Sequence, residues 1–388
     1  MMKGVTMKKY FLCLILLSFF SQRPGIAFGE ENKLDISGYY KNLLTSTKSL
    51  ETKEAITADL QRLRLEIKKV LSPWQFQLTL DNEAIVHDFA NRSDFNFIRS
   101  KSQNRLNSID LDKTSVDSDH LYLKHSLYRA FVKYYQPEFQ IVAGKQGVDW
   151  GKMRFYSPLD LFNTLSPLEI ERDERIGIDA LNFNYAPEDL SGVNFVAAPG
   201  QNGELTSLGL KLYRTIKTYD VSFIAGQIKK DIVMGVSFDG YIQKAGFRGE
   251  ISHTVLDNER SFPRVSVGLD YTFSDKFDAL LEQFYNGGAD DNDPAALTSS
   301  YRKSQQLLSL KKYLSNLWMQ YRLTPLVKLN TYILYDWEGK SVVVTPEVSY
   351  NIIQNMDIAA GTQLFWGKSG SEFGDNEHFY YLEIKWFF

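Results

Sequence analysis

The densest concentration of chemistry in the sequence lies between Asp149 and Asp179. Lys152, Arg154, Arg172 and Arg175 are interleaved there with Asp149, Asp160, Glu169, Glu171, Asp173, Glu174 and Asp179. The same stretch carries Trp150, Phe155, Tyr156, Leu161, Phe162 and Leu165, enough apolar surface to order it against a neighbour. Charges of both signs at this density beside confined water set a field that sorts ions. The alternative is mechanical: Arg172 and Arg175 clamp the stretch to a wall through neighbouring carboxylates. The two roles are compatible, and the residues alone leave both open.

Other reactive groups are sparser. The five histidines, His87, His120, His125, His253 and His378, show no H-x-x-x-H spacing, and no G-x-S-x-G occurs. Neither a metal centre nor a nucleophile on a sharp turn is therefore expected, and no catalysis and no cofactor. His87-Asp88 and Asp119-His120 flank one long connection and read as solvated surface groups. Asp290-Asp291-Asn292-Asp293 offers oxygen ligands for calcium after Gly287-Gly288. It lacks the twelve-residue EF-hand spacing, so a flexible acidic loop is the plainer reading. With a net charge of −3 there is no basic excess, which excludes nucleic acid as a partner.

The elements that must position these groups are strands. After residue 33 the apolar period is 2 almost throughout, with no competing helical period. Tyr380, Leu382, Ile384, Trp386 and Phe388 form one face of the last segment, and Tyr381, Glu383 and Lys385 the other. Residues 62–68 set Arg62, Arg64, Glu66 and Lys68 against Leu63, Leu65 and Ile67. Segmentation predicts eighteen strands, at about 34–44, 57–69, 74–86, 121–135, 139–148, 178–185, 192–198, 206–214, 219–228, 231–239, 243–255, 262–273, 276–286, 312–323, 326–338, 341–350, 356–367 and 378–388. The link at 229–230 is short enough to merge two of them, which leaves sixteen open. The stretch 99–119 reads as a polar surface loop.

Connection lengths alternate with a fixed phase. Leu71-Ser72-Pro73, Gln136-Pro137-Glu138, Ser274-Asp275 and Thr324-Pro325 are tight turns on one side; 87–120, 149–177, 287–311 and 368–377 are long and fall on the other. That asymmetry is expected of an up-and-down transmembrane barrel with both termini in the periplasm. Aromatic residues mark both predicted interfaces: Trp74, Tyr134, Phe139, Phe273, Phe277, Tyr350 and Trp386 at the tight-turn ends, and Tyr285, Trp337 and Trp366 at the others. Trp318 falls mid-strand, outside either girdle. A soluble β-sandwich or propeller would alternate too, so alternation leaves the two apart only by which face is apolar. Aromatics at 14% with a negative mean hydropathy fit a barrel, in which only alternate residues meet lipid.

The N-terminus reads as a targeting segment. Lys8 and Lys9 precede the apolar run Phe11 to Phe20, and Ala27-Phe28-Gly29 supplies small residues for cleavage, giving a signal peptide over 1–29 and a barrel over 30–388. That run is about half the roughly 20 residues a membrane-spanning helix needs. Cys13, the only cysteine, lies inside it, so disulfides and thiolate metal sites are not expected in the mature chain.

Gly144-Lys145-Gln146, Trp150-Gly151 and the stretch from Pro158 to Asp179 resemble a segment of proteobacterial outer-membrane barrels of the alginate-export-like and uncharacterised porin families. The likeness covers roughly 140–185, with the C-terminal alternation ending at Phe388, which resembles the recognition signal of outer-membrane barrels. It implies a location in a Gram-negative outer membrane, passage of small hydrophilic solutes, and a third outer loop folded inward. It also implies lipid and lipopolysaccharide contacts, engagement of the barrel-assembly machinery through Phe388, and, by analogy with general porins alone, a homotrimer. Residues 150–177 would then be the constriction, carrying Lys152, Arg154, Asp160, Glu169, Glu171, Arg172, Asp173, Glu174 and Arg175. The polar strand faces give an inner wall with Arg62, Arg64, Lys68, Arg129, Lys133, Lys244, Arg248, Arg322, Lys328 and Lys385 against Glu66, Asp81, Glu250, Asp270, Glu347 and Glu383. That balance leans toward anions, with a solvated wall of mixed charge as the plainer reading. Export or uptake of an acidic oligo- or polysaccharide is the alternative to general solute passage.

Overall fold

The structure, a computed structural model, describes residues 33–88, 108–109, 111–162, 167–169, 177–188, 190–200, 206–257, 260–289 and 308–388. The expected signal peptide and the acidic run 290–293 lie outside the described residues. Nineteen strands are present among the described residues: β1 (Leu34–Lys48), β2 (Ala55–Leu71), β3 (Trp74–His87), β4 (Lys113–Asp117), β5 (Leu121–Tyr135), β6 (Phe139–Gln146), β7 (Ile178–Glu188), β8 (Ser191–Ala198), β9 (Ser207–Ile216), β10 (Tyr219–Ile228), β11 (Asp231–Ile242), β12 (Ala245–Val255), β13 (Ser261–Ser274), β14 (Phe277–Asn286), β15 (Tyr313–Arg322), β16 (Val327–Asp336), β17 (Ser341–Ile353), β18 (Met356–Trp366) and β19 (Phe379–Phe387). All except β4 form one closed antiparallel barrel of eighteen strands. Each strand pairs with its sequence neighbour, β3 with β5 directly, and β1 closes on β19. The link at 229–230 is a two-residue hairpin between β10 and β11, so the eighteen-strand segmentation holds over the sixteen-strand one.

The faces settle the choice between a membrane barrel and a soluble sandwich. On β12 to β14 the outward positions are apolar and open: Ile251 is 54% exposed, and Leu269 and Leu281 each 46%. The alternate positions, Glu250, Arg264 and Glu282, are at most 2% exposed. A soluble protein places these classes the other way round, because water and not lipid meets its outer face. Ring contacts gather at the two predicted interfaces: Trp74 with Tyr134 and Tyr134 with Phe139 at one, Tyr285 with Tyr313 and Tyr335 with Trp337 at the other. The seam closes with reciprocal backbone bonds of 3.0 Å between Gly38 and Phe388.

The wall has one interruption. β6 is only eight residues long and stops at Gln146, where the chain turns inward; above that point β5 has lost its partner. The short strand β4 supplies one, pairing Lys113 with His125 and Asp117 with Tyr122, and Lys124 binds Asp112 at 2.7 Å. On the far side of the gap Asp179, from β7, accepts the amides of Ser108 and Ile109, each at 2.9 Å. The stretch expected to be a plain surface loop is therefore partly a wall repair. His87, expected to be solvated, is 6% exposed at the top of β3.

A bulge adjusts the inner face next to the gap. The β3–β5 register shifts between Thr79 and Leu80, which gives Tyr128 no register position on β3 and changes inward positions from even to odd residues. Arg129 faces in opposite Thr79 as a result.

The inside–outside assignment predicts unequal costs for one added charge. Leu281→Arg, on the lipid face, should destabilise the barrel by about 2–4 kcal/mol in vesicles. Gln320→Arg, on the lumen face, should cost below about 1 kcal/mol. Urea unfolding followed by tryptophan fluorescence checks this, and equal costs would contradict the assignment.

Candidate functional site

The connection leaving β6 enters the barrel and lies against the inner wall. Its neck is fixed by Gln146, whose side-chain amide donates to Val142 O (3.0 Å) and Ala180 O (2.9 Å). The Arg129 guanidinium fills the space between the loop's two ends. A Cβ placed on Gly177 would stand 2.6 Å from one of its nitrogens, and one on Gly147 would stand 3.0 Å from the other.

From this neck the loop follows two apolar patches. On β7–β11, Trp150, Leu159, Leu161 and Phe162 pack with Ile178, Val196, Ile224 and Val233. Trp150 meets Phe162 edge to face at 5.2 Å and donates its ring N–H to Asn194 Oδ1 at 2.8 Å. On β14–β18, Phe155 and Tyr156 pack with Leu280, Leu314, Leu334 and Phe365, and Tyr156 stacks on Phe284 at 4.8 Å. The wall makes room by omitting side chains. Cβ atoms on Gly209 and Gly226, which face each other across β9 and β10, would lie 2.6 Å from Trp150 and 2.7 Å from Leu161. Gly235 and Gly268 stand similarly close to Leu159 and Met153.

Between the patches two wall carboxylates bind the loop backbone. Glu250 accepts the amides of Lys152 (2.5 Å) and Leu159 (2.9 Å) and the hydroxyl of Ser157 (2.9 Å). Glu282 accepts the amides of Arg154 (2.8 Å) and Phe155 (3.0 Å). Fully buried Arg264 returns a bond to Pro158 O at 3.0 Å. Loop amides inside a barrel have no strand to pair with, and an ionised carboxylate is the strongest acceptor a side chain offers. Further on, Leu168 O accepts from Gln363 of β18 at 2.9 Å, nine strands from the β9 contact of Phe162. The loop thus touches opposite sides of the ring.

A polar cavity of about 470 Å³ opens beneath the tip, lined by Asp149, Lys152, Arg154, Arg248, Asp270, Asp278, Trp318, Gln320 and Arg322 with their neighbours. Arg248 bonds Asp270 and Arg322 bonds Asp278. Arg154 lies with its guanidinium 4.2 Å above Trp318 and donates to Tyr332 Oη at 3.2 Å. Among the described residues no ion pair involves it. Lys152 stands 4.0 Å from Asp239. Trp318, unassigned from sequence, is thus the platform for the exposed Arg154 at the tip.

The predicted poles divide. Lys152 and Arg154 reach the cavity. Asp160 is buried behind the loop at 3% exposure, Glu169 is half-buried after Leu168, and Glu171, Arg172, Asp173, Glu174 and Arg175 lie outside the described residues. Of the wall bases, Arg62 binds Glu83 at 2.6 Å and Arg64 grips Asp81 through two bonds of 2.5 Å while lying 3.6 Å over Tyr128. Lys68 and Lys133 occupy inward register positions near the tight-turn end, opposite Gln77 and Gln75. Sequence reasoning missed Glu282, Arg264 and the glycine row. The row was findable: glycines recur at the inward phase of neighbouring strands, where a pleated wall gains nothing from losing side chains.

This is a closed membrane barrel of the size that encloses an aqueous lumen, narrowed from within by one of its own connections. No family model matches the sequence, and no curated protein matches it. Among solved structures the fold is similar to that of Acinetobacter baumannii OccAB3, with TM-score 0.57, 9% identity, and coverage of 92% of this chain and 99% of that one. OccAB2 of the same organism gives TM-score 0.56, 10% identity, and coverage of 92% and 98%. A triple mutant of the Rhodopseudomonas blastica porin gives TM-score 0.47 at 11% identity, covering 92% and 100%. At these identities the likeness to the two Acinetobacter structures is one of fold alone.

The carboxylate clasps carry a direct expectation. Glu282→Ala leaves the amides of Arg154 and Phe155 without their acceptor, at about 1–3 kcal/mol for each orphaned group. Hydrogen exchange should accelerate in a peptide covering 150–162 while strands β1 to β3 keep their protection. Unchanged exchange in that peptide would contradict the clasp.

Proposed function

We propose that the chain is a channel of a Gram-negative outer membrane that passes small hydrophilic solutes, with the tip of the inward loop as its selective point. The observation that carries this is the loop itself: a polar lumen inside an apolar-surfaced barrel, narrowed by backbone bound to Glu250 and Glu282. The similarity of fold to the two Acinetobacter barrels supports the same reading. Phe388, hydrogen-bonded at the closing seam, suits a role in barrel assembly.

The charge pattern supports a mild preference for anions at the tip. Four wall bases, Arg62, Arg64, Arg248 and Arg322, are already paired with carboxylates, whereas Arg154 presents an exposed guanidinium backed by an aromatic face and Lys152 stands beside it. The same pairing weighs against the acidic-polysaccharide reading, because a polyanion needs a continuous unpaired basic track. Solute identity then depends on one or two side chains in a narrow place, where field lines concentrate.

Planar-bilayer recording under a KCl gradient tests the reading. Stepwise conductance is expected, with a reversal potential on the anion side that moves toward cations in Arg154→Glu. An inert bilayer sinks the channel, and a reversal potential unmoved by Arg154→Glu sinks the selective tip.

A further inference from the structure

Three outer connections meet at one corner of the barrel mouth: segment 308–312 before β15, the turn between β16 and β17, and the connection 367–378 between β18 and β19. Asp336, fully buried at the end of β16, organises the corner. Its Oδ1 accepts the amides of Glu338 (3.0 Å) and Gly339 (2.9 Å), and its Oδ2 accepts the Ser341 hydroxyl (3.1 Å) and the amide of Glu372 (3.2 Å). The Glu372 carboxyl reaches the other way and accepts the amide of Leu310 at 2.8 Å. The next residue, Phe373, is 1% exposed, donates its amide to Ser341 Oγ at 3.2 Å, and packs in the cluster that holds Phe155 and Tyr156 of the inward loop. The last outer connection is therefore tied to its two neighbours at the mouth, and its Phe373 shares an apolar cluster with the loop that narrows the lumen.

We propose that Glu372 and Asp336 form a latch that holds this connection over the mouth in acid and releases it as the pH rises. Its location carries the idea: one carboxyl bridges segment 308–312 and the last connection, beside a second carboxyl that cannot move away. Burial pushes the Glu372 carboxyl up to about 8, and the charge of Asp336 adds to the shift. The amides of Leu310 and Lys311 and the Lys311 charge oppose it. Glu338, which accepts the Lys312 amide, and Lys312 itself complete the charged groups from the neighbouring elements. On its own connection Lys368, Asp375, Glu377 and His378 are the others, Asp375 accepting the amide of Gly370, Glu377 binding Lys53 and His378 accepting the amide of Phe365.

The sign follows from proton linkage. The closed arrangement holds the proton more tightly than an open one, in which the group returns toward its ordinary 4.5. Closure is therefore supported in full below that value. The support falls by about tenfold in the closed-to-open ratio per pH unit, and is lost above about 8.

Hydrogen exchange on the full chain between pH 5.5 and 9, corrected for the intrinsic pH dependence of exchange, tests the latch without relying on conduction. In the wild type, opening at 308–312 and 367–378 should rise by about tenfold per unit toward pH 8, with β13 as the unchanging reference. Glu372→Gln keeps the acceptor and loses the charge, and should hold both segments closed at every pH. A flat wild-type profile, or a Glu372→Gln profile as steep as the wild type, overturns the latch. The consequence for passage rests on the channel reading. Conductance rising over the same pH range extends the release to the lumen, whereas conductance indifferent to pH overturns that extension alone.

Discussion

Backbone that leaves a sheet must find other hydrogen-bond partners, and inside a barrel few are on offer. The connection after β6 meets this constraint by using wall side chains as its ladder: Glu250 for Lys152, Ser157 and Leu159, Glu282 for Arg154 and Phe155, Arg264 for Pro158. Much else depends on that arrangement. Two carboxylates and an arginine are tolerable at full burial because the carboxylates accept loop amides and the arginine donates to Pro158 O and Thr254 Oγ1. The glycines of β9 and β10 exist at the inward phase because Trp150 and Leu161 occupy the space their side chains would take. Even β4 answers the same event, since β6 ends early when the chain turns in and leaves an unpaired edge of the kind barrels normally abolish.

The electrostatic character of the lumen follows from the same economy of partners. Four of the arginines read from sequence as a solvated wall are tied into pairs, Arg62 with Glu83, Arg64 with Asp81, Arg248 with Asp270, Arg322 with Asp278. Paired charges shape the wall more than they attract solutes, because each is already screened by its neighbour at hydrogen-bond distance. Among the described loop residues, Arg154 and Lys152 are the cations that reach the cavity. Wall carboxylates hold the described part of the loop and tip cations face the cavity, while Arg172 and Arg175, read from sequence as the clamp, lie outside the described residues.

The barrel was legible because its signals are periodic. Alternation, turn phase and interface aromatics each repeat around the ring, and eighteen strands emerge with boundaries shifted by a few residues. Lys113–Asp117 escaped because four polar residues and a lone Val116 carry no period, and a strand that repairs a gap is defined by its neighbour's missing partner. The site was legible only as a location. Gly144 to Asp179 declared itself by composition, yet which of its charges reach the cavity depends on contacts with β11–β16, a hundred residues away in sequence. Glu282 looked like any alternate polar residue of β14, and Trp318 like a misplaced girdle tryptophan, until the loop lay against them.

The account stands on the inward loop setting the width of the passage. Liposome swelling with sugars of graded size measures that width directly, comparing the wild type with a chain in which residues 152–158 are replaced by a short Gly-Ser link. The account predicts that the size limit rises and that larger sugars enter through the shortened chain. An unchanged size limit, with the barrel folded, would contradict it.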